Sequence, residues 1–423
     1  MSSDLMQLVA SGEIAATGAK PKLPTTLPDV TDSMLEVYRI PLKYLYYNDE
    51  NGRIASQIKR EYGELTPHSD ETMTDYNDKI AQFIEEDNPT ALKKTKTSIK
   101  EKTQQVYGYV LQDGRIIDGN RRFTALRQLA TELGTTQYFE AVILPFTYDA
   151  KAQRAQIKRL ELAIQMGVED KLQYDPVDLS VDAYNTIIVD GLMTAGDYAK
   201  ESSLKLKDVE NRLATVEIIH DFLSFINAPQ DAYYLIKDVK LYNPLYELVK
   251  KLKKSFPNEG PKYNQTKETA FALLSKMITT GGDSVREIRD YISNVMTTAN
   301  NDEYNEQVED AVDGLRDKLE TEPIKTASDL RKRLDTATSE LREINETYVT
   351  TVNRQNRGKN VDNFISDIKE TLNTLQDMQR GQGLTGNLHF NDFSKDQITD
   401  IRDMLVKINL TSGDLIGMYE DEI

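Results

Sequence analysis

Residues 115–129, RIIDGNRRFTALRQL, constrain the fold more than any other stretch of the chain. A short apolar strand at Arg115, Ile116 and Ile117 runs into the turn Asp118-Gly119-Asn120. Arg121 and Arg122 then open a segment with Phe123, Leu126, Leu129 and Leu133 at helical spacing. Strand, glycine turn and helix start make a tight corner. Gly119 admits positive φ or a close backbone approach there. The first N–H groups of a helix have no partners inside it, and the dipole favours negative charge at that end. Two adjacent guanidinium groups suit phosphate oxygens. A simpler reading stands beside this one. Asp-Gly-Asn is an ordinary turn sequence, and the arginines can pair with carboxylates such as Asp118.

The rest of the chain makes such a cationic corner unusual. Its 423 residues carry a formal net charge of −17, which argues against broad non-specific coating of DNA, because phosphate neutralisation needs a basic face. A local patch remains possible, and Lys250-Lys251-Leu252-Lys253-Lys254 is one candidate, with a solvated helix end as the plainer reading. Cysteine is absent, so disulfides and thiolate chemistry are excluded. His68, His220 and His389 lie far apart in sequence and in no metal-ligand spacing, so each reads as a surface or packing residue. No apolar run is long enough to span a bilayer, and the first residues lack a basic and then apolar leader pattern. A cytoplasmic protein with no membrane segment is the expectation.

Along the chain, residues 1–33 read as a flexible arm punctuated by Pro21, Pro24 and Pro28. Residues 34–150 read as an α+β domain. It has strand-like LEVYRIPLKYLYY, a helix from Asp75 to Glu86 in an otherwise polar stretch, a hairpin of Val106–Leu111 with Arg115–Ile117, the arginine helix, and a strand at Phe139–Phe146. The remainder is mostly α-helical. Residues 151–225 hold a helix to residue 166, an Asp175-Pro176 helix start, and a helix-turn-helix-like pair at 194–200 and 205–219. Ala199, Leu206, Val209 and Leu213 would line the inner side of that pair. Residues 226–300 read as a helical domain with breaks at 258–261 and 281–282. Residues 301–423 read as an acidic linker, or a solvated helix, followed by a helical or coiled-coil region. Leu330, Leu334, Leu341, Ile344 and Tyr348 mark one apolar stripe, and Phe364, Ile368, Leu372, Leu375 and Met378 another. Residues 381–387 form a break before a last helix at 395–409.

The order of these features resembles the ParB/sulfiredoxin-like superfamily, in the ParB arrangement of an N-terminal domain followed by a helix-turn-helix. IPLKYLYYNDENGR, the hairpin with DGNRR, the YDPVDLS helix start and the helix pair carry the resemblance, over roughly residues 35–220. It implies that the arginine turn, Gly119, Asn120, Arg121 and Arg122, binds the triphosphate of a nucleotide, CTP or another nucleoside triphosphate, with Mg2+. The family's Asn-x-Arg segment matches Asn51 and Arg53. Its third motif, a metal-binding Glu with a phosphate-contacting Arg, finds its nearest matches in Glu169 and Lys171, so that motif is not intact. Sulfiredoxin chemistry needs a cysteine where this chain has Asn120.

The resemblance implies a nucleotide-dependent, DNA-associated factor of partition type, with Lys205, Lys207 and Arg212 on the second helix of the pair facing DNA and the C-terminal helices forming a homodimer. An enzyme on the same fold (nuclease, NTPase or phosphotransferase) would use Asp118 as base or metal ligand, assisted by Glu169 or Asp170. A third alternative is a non-catalytic protein-interaction module.

Overall fold

The computed structural model describes residues 4–48, 58, 61, 69–148, 150–167, 175–357, 361–380 and 389–421. Asn51, Arg53, Glu169, Asp170 and Lys171 lie outside these residues, as do His68 and the break at 381–387. The chain divides into two compact units, Met1–Val349 and Thr350–Ile423. The boundaries expected near residues 150, 225 and 300 are therefore internal to the first unit.

The first unit begins with a mixed α/β layer. Its elements are α1 (Leu5–Ala10), β1 (Ala15–Ala16), β2 (Val37–Pro41), β3 (Tyr46–Tyr47), α2 (Ser69–Asp87), α3 (Pro89–Lys102), β4 (Gly108–Leu111), β5 (Arg115–Asp118), α4 (Asn120–Leu133), β6 (Tyr138–Leu144) and α5 (Lys151–Gly167). The six strands lie in the order β1-β2-β6-β4-β5-β3. β6 pairs antiparallel with β2 and parallel with β4, and the hairpin partner β5 pairs parallel with β3. Side chains alternate across a strand, so neighbouring residues serve opposite faces. Ile116 and Ile143 pack with Tyr47, Ile80, Phe83, Phe123 and Leu126 on the side of α1, α2 and α4. Ile117 and Val142 pack with Leu23, Leu27, Ile157 and Leu160 on the side of α5.

Two expectations change here. Residues 4–34 are not a loose arm. Leu5, Ile14, Leu23 and Leu27 are all buried, the Leu5 N–H donates to the Gln112 carbonyl at 2.8 Å, and β1 extends the sheet. The prolines that suggested looseness punctuate a segment whose leucines complete the second core. The polar stretch after residue 66 also contains a second helix, α3, that periodicity missed. Asn88 caps it, accepting from the Ala91 N–H at 2.9 Å, and Pro89 occupies its first turn.

The helical remainder of this unit comprises α6 (Pro176–Tyr184), α7 (Ala195–Glu201), α8 (Leu206–Phe225), α9 (Tyr233–Asp238), α10 (Tyr242–Ser255), α11 (Pro261–Thr280), α12 (Ser284–Tyr291), α13 (Asn300–Leu319), α14 (Ala327–Thr336) and α15 (Thr338–Arg357), whose last residues pass into the second unit. Asp175 caps α6 as the sequence indicates, accepting from the Val177 N–H at 2.8 Å. α6 and α10 pack on α8, and α11 packs on α13. Leu206, expected on the inner side of the helix pair, is instead 46% exposed, whereas Ala199 and Val209 are buried. The supposed acidic linker is the packed helix α13. Tyr304, Val308, Leu315 and Leu319 face the core, and the acidic residues that dominate its composition occupy the outer face.

The two apolar stripes differ in fate. Leu330, Leu334, Leu341, Ile344 and Tyr348 are buried within the first unit. In the second unit, α16 (Val361–Arg380) and α17 (Lys395–Glu420) leave their apolar residues exposed, among them Phe364, Ile368, Leu372 and Met378. α17 runs well past residue 409, where the sequence reading ended it. Among the described residues no helix is long and apolar enough to cross a membrane.

Candidate functional site

The arginine turn folds as its sequence dictates. β5 ends at Asp118, Gly119 adopts φ 107° and ψ 18°, and α4 starts at Asn120. A Cβ on Gly119 would sit 2.6 Å from Cζ of the buried Phe139. One on Gly108 would sit 2.3 Å from the same atom. The Phe139 ring thus lies beneath two glycines and packs edge-on against Phe123, 6.1 Å between centroids. This fixes the corner to the sheet. Leu133, the last residue of the expected apolar face, is half exposed, while Phe123, Leu126 and Leu129 are buried.

Asn120 holds the first position of the helix and is 8% exposed. Neither its amide nitrogen nor its amide oxygen has a hydrogen-bond partner. An unsatisfied buried polar group costs about 1–3 kcal/mol, so this amide at a helix start is a feature of the corner that calls for a partner. Beside it, Arg122 Nη2 donates to Asp118 Oδ2 at 2.6 Å, with both side chains largely covered. Asp118 is thereby placed as the arginine's carboxylate partner. Burial pushes the nearby Tyr109 hydroxyl up, and the Asp118 carboxylate adds to that shift while Arg122 opposes it.

A second polar group occupies the other end of β5, about 10 Å away for four residues of strand. Arg115 shares the strand face of Ile117 and so turns towards α5. Its guanidinium lies 4.3 Å from the ring centroid of Tyr148 and 5.5 Å from that of Tyr46. Arg115 Nη1 donates to Asn48 Oδ1 at 3.1 Å, and Asn48 Nδ2 donates to Glu161 Oε1 at 3.3 Å. Glu161 Oε2 accepts from Lys158 Nζ at 3.3 Å. Lys158 also pairs with Asp182, which accepts from the Tyr198 hydroxyl at 3.0 Å. Burial alone would push Lys158 down, but the carboxylates of Asp182 and Glu161 outweigh it and hold the ammonium well above its usual range. Arg154 and Arg159 of α5 add buried Nε atoms without hydrogen-bond partners.

None of Arg115, Asn48, Arg154, Lys158 or Glu161 stood out in the sequence as a site residue. A signal did exist. Arg154, Lys158 and Glu161 follow one another at spacings of four and three, which puts them on one stripe of a helix whose neighbouring stripe, Ile157, Leu160 and Ile164, is core. Glu161, a carboxylate of this cluster, lies eight positions before the Glu169 singled out by motif.

The DNA-facing assignments scatter. Lys205 and Lys207 are exposed at the start of α8, where Asp208, Glu210 and Glu217 offset them. Arg212 is half-buried and lies 3.5 Å from Ser180 Oγ of α6. Among the described residues no group of three or more His, Asp or Glu side chains could hold a metal ion. No protein-family model matches the chain, and no curated protein matches it significantly.

Proposed function

We propose that the corner Gly119–Arg122 binds the phosphates of a nucleoside triphosphate, within a ParB/sulfiredoxin-like domain, and that CTP is the nucleotide the sequence resemblance favours. The observation that carries this reading is Asn120, a buried side chain with both amide atoms unpartnered, at the dipole-positive end of α4 and next to two arginines. The amide can donate to a phosphate oxygen, as can the helix N–H groups and Arg121. The cluster at the far end of β5, with Tyr148 and Arg115, offers a flat cationic and aromatic surface at a distance that a triphosphate and its sugar span. Mg2+ enters this reading only as the ion chelated by the triphosphate, with Asp118 at the corner and Glu161 at the far end of β5 as the described carboxylates.

Two further parts complete the reading. The chain is DNA-associated, and it forms a homodimer through the exposed apolar stripes of its second unit. Nucleotide binding would then bias the protomers between arrangements, as a ligand shifts a pre-existing equilibrium.

Calorimetric titration with CTP, ATP, GTP and UTP in the presence of Mg2+ tests the site. Wild type should show saturable binding to at least one nucleotide, and Asn120→Asp and Arg121→Ala should each lose it. No heat with any of the four nucleotides from a folded wild type would overturn the reading.

A further inference from the structure

Helix α3 has the highest net positive charge of the described helices in an acidic molecule. Within 14 residues it carries Lys93, Lys94, Lys96, Lys100 and Lys102 against the single acid Glu101, in a chain of formal net charge −17. Leu92 is buried and Ile99 packs against the first core, which fixes the helix to the domain and turns its lysines outward. Lys96 is tied to Glu132. Lys93, Lys94, Lys100 and Lys102 are exposed, and no salt bridge among the described residues engages them. Thr90 and Ser98 line a shallow groove on this helix with Lys93, Lys94, Lys102 and the acid Glu101, and their hydroxyls are further donors suited to phosphate oxygens, whereas the Thr97 hydroxyl donates to the Lys93 carbonyl at 3.0 Å.

We propose that the exposed face of α3 is a contact surface for the phosphate backbone of duplex DNA. Three features select this partner. α3 has no aromatic residue, whereas proteins that hold single strands stack the bases on aromatic rings. It has no exposed large apolar residue, whereas a helix that lies on a membrane buries an apolar face in the lipid. Its lysines lie along a straight rod, with Lys93 and Lys100 two turns and about 10.5 Å apart. At about 100° per residue Lys93 and Lys100 share one stripe, Lys94 stands beside it and Lys102 lies on the opposite flank. The lysines thus fan across the outer half of the helix, and a duplex, with a charge about every 1.7 Å of its axis over its two strands, offers phosphates across that width. α8, the helix the sequence motif nominated, lacks this excess: Lys205 and Lys207 face Asp208, Glu210 and Glu217 on the same helix.

The test is a fluorescence-anisotropy titration of a labelled duplex of arbitrary sequence with the full chain, without nucleotide, so its outcome is independent of the arginine corner. Neutralisation of four phosphates predicts a slope of log K against log salt of about −3.6, or roughly a 150-fold loss of affinity between about 50 and 200 mM NaCl. Lys93→Gln/Lys94→Gln/Lys100→Gln/Lys102→Gln should bind at least about 10-fold more weakly at the low-salt end, with a slope near zero. Lys93→Arg/Lys94→Arg/Lys100→Arg/Lys102→Arg should retain the wild-type slope. Lys250→Gln/Lys251→Gln/Lys253→Gln/Lys254→Gln makes the same change in net charge on α10 and should bind as wild type. The proposal is overturned if wild type does not bind at about 50 mM salt, if the α3 glutamine variant keeps the slope, or if the α10 variant loses as much affinity. Tighter binding to single-stranded RNA or to anionic vesicles than to the duplex also overturns it.

Discussion

Arg122 and Asp118 face each other across Gly119 at 2.6 Å, so the carboxylate that precedes the turn is the resting partner of the arginine that follows it. This bears on how the corner takes an anion. A phosphate must share or displace Asp118 to reach Arg122, and the competing carboxylate lowers its affinity. Asp118→Asn should therefore bind nucleotide more tightly than wild type, by a few-fold, while it destabilises the fold by about 1–3 kcal/mol as a partly buried pair is lost. Calorimetry and urea denaturation measure the two effects. Weaker nucleotide binding in Asp118→Asn would mean that the carboxylate itself takes part in binding.

Gly119→Ala should cost about 2–4 kcal/mol of stability. Its φ of 107° is strained for an L-residue, and the new methyl would meet Phe139 Cζ at 2.6 Å. Phe139 is fully buried and cannot step aside without opening the core. A loss below about 0.5 kcal/mol in chemical denaturation would show that the corner is softer than its packing suggests.

Lys158 joins Glu161 of its own helix to Asp182 of α6, and through Asp182 to Tyr198 of α7. Lys158→Met keeps the length of the side chain and removes its charge, which strands two carboxylates in a covered site. We expect a destabilisation of about 3–5 kcal/mol, largely relieved in the double variant Lys158→Met/Asp182→Asn. Thermal melts of the two variants decide the matter. Equal melting temperatures would mean that the lysine does not hold Asp182.

Asp178 supplies a pH signature. Burial pushes its carboxyl up to about 6 even though Lys237 Nζ lies 2.9 Å from both of its oxygens. An acid whose pKa is higher in the folded state binds its proton more tightly there. Its contribution to stability is then complete below the unfolded value near 3.8 and is lost as pH rises through about 6. Relative to Asp178→Asn, wild type should lose about 2 kcal/mol between pH 4 and pH 7. Denaturation curves at several pH values for both proteins measure this, and a constant difference would indicate that the ion pair with Lys237 cancels the cost of burial.

The second unit makes the prediction about oligomeric state. On α17, Ile398, Ile401, Leu405, Ile408, Leu415 and Tyr419 are exposed, at alternating steps of three and four interrupted only at Ser412. That 3.5-residue period is the seam of a left-handed coiled coil. Ile401→Glu/Leu405→Glu/Ile408→Glu should convert a dimer to a monomer in light scattering, with the helicity of the first unit retained. A monomeric wild type at micromolar concentration would remove the dimer from the proposed function.

The sequence by itself determined the corner. Strand, αL glycine and helix start are local geometries, set by β-branched alternation, by the one residue without a Cβ and by apolar spacing, and DGNRR folds as those rules require. The same holds for the hairpin before it, the Asp175-Pro176 cap and most helices, whose signals lie within a few residues of one another. The tertiary structure alone decided what the corner faces. Arg115, Asn48, Tyr148 and Glu161 are distant in sequence and meet only because β3 pairs with β5 while α5 packs across the opposite sheet face from α4. It also decided that leucines among prolines in the first 34 residues are core, that an acidic run is a packed helix, and that one leucine stripe is buried while another stays exposed. Composition and period state that a surface is apolar. Which surface covers it depends on contacts between residues far apart in the chain, and no local pattern encodes those.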